Sequence, residues 1–126
     1  REAMYSSRAD EAVAAFKGCD HVFANKPGGA FYFTVMIKDG RLNDNQTLPI
    51  PNAKVRAFIE EKVKGVKPDK RFVYYLMGAT GIVVVPMSGF FSDRHGFRFT
   101  LLESDPGKRD WIYRTLRESV EAYVES

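Results

Sequence analysis

A chain of 126 residues is long enough to bury one hydrophobic core and too short for two substantial ones. Its 44% hydrophobic and 28% charged residues are those of a globular protein rather than a disordered or fibrous one, and 19 Lys and Arg against 16 Asp and Glu, a net charge of +3, is too mild an excess to argue for a nucleic-acid or membrane partner. No apolar run approaches the roughly 20 residues of a membrane helix; no leader of the secretory type is evident, and the single Cys19 rules out an internal disulfide, which favours a reducing, cytoplasmic compartment.

Tyr5, Ala9, Ala12, Val13 and Phe16 recur at helical spacing, and Gly18 stands where a left-handed helix stop is expected. Arg1, Glu2 and Ala3 carry no N-cap and the chain does not begin with Met, so this helix is expected to continue a longer one. Two β-rich runs follow, 21–25 and 30–38, split by a Lys26-Pro27-Gly28-Gly29 turn. Asp39 to Asn52 is rich in Gly, Asn, Asp and Pro without a period, which predicts an exposed loop. Asn52 is placed to cap a helix over 53–64 whose apolar stripe is Val55, Phe58, Ile59 and Val63.

A further helix over 70–80 buries Phe72, Val73, Leu76 and Met77, with Asp69 as its cap and Gly81 as its stop. The β-branched run 82–85, ended by Pro86, predicts a short buried strand, and 97–102 another, joined by the loop from Met87 to Gly96. After Asp105-Pro106-Gly107, a last helix over 108–124 uses Ile112, Leu116, Val120 and Tyr123 or Val124. The order α, β, β, α, α, β, β, α predicts an α+β fold, a two-layer sandwich of two strand pairs with flanking helices.

In the strand 97–102, alternation puts Phe97, Phe99 and Leu101 on one face and Arg98, Thr100 and Leu102 on the other. An arginine bracketed by phenylalanines is costly to bury without an anion, and its planar fork of donors grips a carboxylate in bidentate fashion. The residue pattern leaves two readings open: a ligand-binding arginine, or one that is solvated or paired with an internal Asp or Glu.

Gly81-Ile82-Val83-Val84-Val85-Pro86-Met87-Ser88-Gly89-Phe90, followed by Gly96-Phe97-Arg98-Phe99-Thr100, resembles the C-terminal signature of class I pyridoxal-phosphate-dependent aminotransferases. Pro27-Gly28-Gly29-Ala30-Phe31-Tyr32-Phe33 resembles the strand of that family that opens on glycine and aromatics. The opening and closing helices match as well, so the resemblance covers nearly the whole chain, residues 1–126, as the small domain. Within the family the chain looks most like alanine aminotransferases, through Thr80-Gly81-Ile82 and Phe97-Arg98-Phe99-Thr100. It departs from the usual pattern at Met87, where the family has glycine, and in the length of the 39–52 segment.

The resemblance implies that the parent enzyme moves an amino group between an amino acid and a 2-oxo acid. It implies that Arg98 binds the substrate α-carboxylate, that Phe31 lies near the substrate, and that pyridoxal phosphate is the cofactor. The catalytic lysine and phosphate site would then belong to a large domain outside this chain, the fragment alone would be inactive, and the full-length protein would be a homodimer. No Schiff-base lysine, acidic partner or phosphate cradle is recognisable here, and Gly28-Gly29 reads as a tight turn.

Ser88, Asp93 and His95 are residue types of a hydrolase triad, but they crowd one loop without nucleophile-elbow glycines and read as polar loop residues. Two histidines and one cysteine at scattered positions give no metal-ligand spacing. The basic run 62–71 reads as a solvated connection. Two other classes stay in view: an RNA-binding module, through the basic-Gly-aromatic pattern of His95 to Leu102, and a standalone regulatory or interaction domain.

Overall fold

The computed structural model describes residues 2–25, 31–88 and 94–126. The expected turn at Lys26 to Gly29, Ala30, and Gly89 to Asp93 of the loop before Arg98 lie outside the described residues.

The chain opens on α1 (Glu2–Phe16), which passes through Gly18 at φ 81° into β1 (Val22–Asn25) and then β2 (Tyr32–Ile37). Next come α2 (Ala53–Lys62), α3 (Pro68–Thr80), β3 (Val85–Pro86), β4 (Gly96–Thr100) and α4 (Pro106–Val124). The expected order of elements is the observed one. The two expected strand pairs join into one antiparallel sheet of order β1-β2-β4-β3. The helices form the second layer on one face, with α1 against β1, α3 against β3 and β4, and α4 against α1 and α3.

The buried row of the sheet is Val22 on β1, Phe33, Val35 and Ile37 on β2, and Phe97 and Phe99 on β4. Against it the helices set Ala9, Ala12 and Phe16 of α1, Phe72, Tyr75 and Leu76 of α3, and Tyr113, Leu116, Val120 and Tyr123 of α4. Ring contacts tie the layers together: Phe72 to Phe97 at 5.4 Å, Phe99 to Tyr113 at 5.5 Å and Phe72 to Tyr123 at 5.1 Å between centroids.

Four expectations are corrected. The 39–52 segment is irregular and largely exposed as expected, but not throughout: Gln46, Leu48 and Ile50 alternate inward and are buried. Gln46 Nε2 donates to the carbonyls of Arg41 and Val124, and Arg71 Nε donates to the Gln46 carbonyl at 2.9 Å. An alternation carried on isolated residues between Pro and Asn was masked by the turn-forming composition. In α2 only Ile59 and Val63 of the expected stripe are buried, because α2 packs chiefly on α3 and leaves Val55 and Phe58 exposed.

Asp69 does not cap α3, which begins at Pro68 after Lys67; the Asp69 side chain turns elsewhere. Finally, the strand expected over 82–85 pairs only at Val85 and Pro86; Val84 is buried, whereas Val83 is 70% exposed. Asn52 does cap α2, accepting from the backbone N–H groups of Lys54 and Val55, and Asp105 caps α4 by accepting from Lys108 N at 2.8 Å. Gly81 closes α3 at φ 80°.

Candidate functional site

Phe97 and Phe99 fill the core, so the pleat of β4 turns Arg98 to the opposite, open face. Because both flanking strands are hydrogen-bonded to β4, the position of Arg98 is fixed in a cross-strand row, with Thr34 on one side and Val85 on the other. Tyr32, two residues along β2 from Thr34, lies on the same face, and the Arg98 guanidinium carbon stands 4.6 Å from the centre of its ring. The Phe31 ring lies 4.7 Å from that of Tyr32 and 6.3 Å from that of Tyr5. The structure thus brings Arg98 and Phe31 to one tyrosine. With Phe31 exposed and Arg98 half-buried, these groups offer a cationic fork beside an aromatic shelf, suited to an anion with an organic body.

Tyr32 was missed by sequence reasoning. Its signal is parity: if Phe33, Val35 and Ile37 are the buried row, Tyr32 shares the face that Arg98 occupies. Placing the two side by side additionally requires the β2–β4 register, which no local pattern supplies.

Beneath this face sits a second polar feature. Asp69, 1% exposed in the first turn of α3, accepts from the Ser88 backbone N–H at 2.8 Å, from the Gly96 N–H at 3.2 Å and from the Ser88 hydroxyl. Met87 N donates to the Gly96 carbonyl at 2.8 Å, and Ile37 N donates to that of His95 at 2.9 Å. The base of the 87–95 connection is therefore held on both sides, two residues ahead of Arg98. Gly96 is required there for space: a Cβ would stand 2.5 Å from the Val35 carbonyl oxygen. Met87, unusual for glycine at this turn, needs no left-handed backbone, since no described non-glycine residue has positive φ.

Of the triad residue types, Ser88 is engaged with Asp69, His95 gives its carbonyl to β2, and Asp93 lies outside the described residues. Among the described residues no group of three or more His, Cys, Asp or Glu is arranged for a metal ion, and no helix is long and apolar enough to cross a membrane. The strand aromatics on which the RNA reading depended, Phe97 and Phe99, are 1% and 6% exposed, so they offer no stacking surface; that reading is withdrawn.

No protein-family model matches the chain. Over all 126 residues it is 43% identical to an uncharacterized aminotransferase of Methanocaldococcus jannaschii. The chain is homologous to that aminotransferase along its whole length. It spans 29% of the relative, so what the sequence shares is a domain-sized part of an aminotransferase.

Proposed function

We propose that this chain is the substrate-binding small domain of a class I aminotransferase, in which Arg98 binds the α-carboxylate of an amino acid or a 2-oxo acid. The observation that carries the proposal is the placement of Arg98: centred in the sheet, on its open face, with the guanidinium over Tyr32. A guanidinium set against a ring keeps its plane, and a carboxylate that meets it in that plane forms two parallel N–H···O bonds. Phe31 and Tyr32 give the rest of the substrate an apolar wall and exclude water from one side of the ion pair.

Pyridoxal phosphate, the cofactor implied by the resemblance, does not fit the described residues. No described lysine is buried, and Lys38, which follows β2, stands 3.6 Å from Asp20 and over the Phe23 ring. We assign the cofactor, its Schiff-base lysine and its phosphate cradle to the part of the relative's length that this chain does not span. On this reading the large domain of the same chain is the first partner, the full-length enzyme is a cytoplasmic homodimer, and the small domain alone does not transaminate. The domain contributes binding: it orients the substrate and, by closing over it, shields the reacting atoms from water.

The test is steady-state kinetics on the full-length enzyme. Arg98→Ala is expected to lower kcat/KM toward both amino and oxo acids by about 2 to 5 kcal/mol of transition-state free energy. Arg98→Lys, which keeps the charge and loses the fork, is expected to be impaired as well. Unchanged kcat/KM in both variants would refute the assignment.

A further inference from the structure

The carboxylate site proposed above is only as good as the aim of Arg98, and the aim is set from below. The segment that delivers Arg98 leaves the sheet after Pro86 and returns at Gly96, and both of its ends are tied to one buried carboxylate on a different element. We propose that Asp69 is a positioning residue for the carboxylate site: from the first turn of α3 it fixes Ser88 and Gly96 to each other, and so sets the height and direction of Arg98 without touching the ligand.

Three features of the geometry support this. Asp69 is fully buried, and the partners of its side chain among the described residues lie off its own helix, 19 and 27 positions further along the chain. One oxygen, Oδ2, takes the N–H groups of both Ser88 and Gly96, so the two ends of the connection cannot move apart without breaking a charge-assisted bond. Gly96 is itself pressed on β2, with no room for a Cβ, so any motion allowed by losing Asp69 is passed along β4 to Arg98 rather than absorbed at the junction. Stability alone does not call for a buried carboxylate here, since a hydrophobic contact between α3 and β4 already exists through Phe72 and Phe97.

The proposal rests on the carboxylate reading of Arg98, and its test separates the two. In the full-length enzyme, KM and kcat are measured for Asp69→Ala, Asp69→Asn, Ser88→Ala and Arg98→Lys, and for Asp69→Ala combined with Arg98→Lys. Asp69→Ala is expected to raise KM for the carboxylate substrates by about 10-fold to 100-fold, the scale of a misplaced binding group. It should add little in the Arg98→Lys background, because it acts through that arginine.

Asp69→Asn is expected to restore most of the KM. Its amide oxygen replaces Oδ2 for the two backbone N–H groups, while its NH2 donates to the Ser88 hydroxyl. Ser88→Ala, which removes one bond and keeps the fold, should raise KM in the same direction by less, and decides the matter if Asp69→Ala does not fold. KM unchanged in Asp69→Ala, or in Ser88→Ala where only that variant folds, with Arg98→Lys impaired, overturns this proposal alone, as does full multiplicative loss in the double variant. KM unchanged in Arg98→Lys overturns the carboxylate reading and this proposal with it.

Discussion

Arg98 and Phe99 are chain neighbours in opposite surroundings. On one face of the sheet Phe33, Val35, Ile37, Phe97 and Phe99 are sealed beneath α1, α3 and α4; on the other, Tyr32, Thr34, Met36, Arg98 and Thr100 are half-buried or exposed. Only the first row holds the layers together. The second row is positioned by the same hydrogen bonds but is not sealed beneath helices.

The buried arginines make the same point from the other side. Arg8 donates to the Leu101 carbonyl at 2.6 Å, and Arg109 pairs with Glu11 while donating to the carbonyls of Glu103 and Ser104, so both are spent inside the fold. Hydrogen bonding to Glu11 is the main cause that holds the Arg109 guanidinium above its ordinary pKa.

The sharpest way to break this division is to cut one side chain from each row at adjacent positions. Phe33→Ala is expected to cost about 3 to 5 kcal/mol, because it opens a cavity against Phe99. Thr34→Ala, one residue on and directly across from Arg98, should change stability by no more than about 0.5 kcal/mol. Equilibrium urea unfolding followed through Trp111, the one tryptophan, measures both; comparable losses would mean that the open face is as much a part of the core as the closed one.

Gly96→Ala sharpens the comparison at the point where the rows meet. The added methyl has nowhere to go between β4 and the Val35 carbonyl, and is expected to cost about 1 to 3 kcal/mol by forcing the strands apart. Unlike Phe33→Ala, it should also impair carboxylate binding, since the displaced segment carries Arg98. Loss of stability with unaltered KM would show that the two rows move independently.

Element order, the alternation of β4 and the capping roles of Asn52 and Gly81 were legible because each is written within a few residues. The placement of Arg98 on the face opposite Phe97 and Phe99 was legible too, through the same alternation. What escaped was set at long range. Tyr32 meets Arg98 only through the pairing of strands far apart in sequence, and Asp69 looks like any helix-start aspartate until its partners at Ser88 and Gly96 are known. Val55 and Phe58 form a convincing stripe by spacing, yet α2 is buried chiefly on α3, and periodicity does not say how much of a stripe its neighbours cover.

The smallest expected effect concerns a polar group on the closed side that has no ligand to serve. Tyr123 is fully buried, its hydroxyl has no partner in hydrogen-bonding geometry among the described residues, and burial, opposed in part by the nearby Arg71, pushes its phenol well above the ordinary value; Tyr113, also buried, is shifted the same way. A raised native pKa means that the folded chain keeps a proton the unfolded chain releases above about pH 10. The stabilisation is therefore fully present at neutral pH and declines as pH climbs beyond that point. Tyr123→Phe removes an unsatisfied hydroxyl, so at pH 7 it should be neutral or slightly stabilising, within about 1 kcal/mol. It should also flatten the fall of the urea midpoint between pH 9 and pH 11, leaving the share due to Tyr113. An equally steep fall in the variant would show that the Tyr123 phenol ionises as readily folded as unfolded, and that the closed face is wetter than its packing implies.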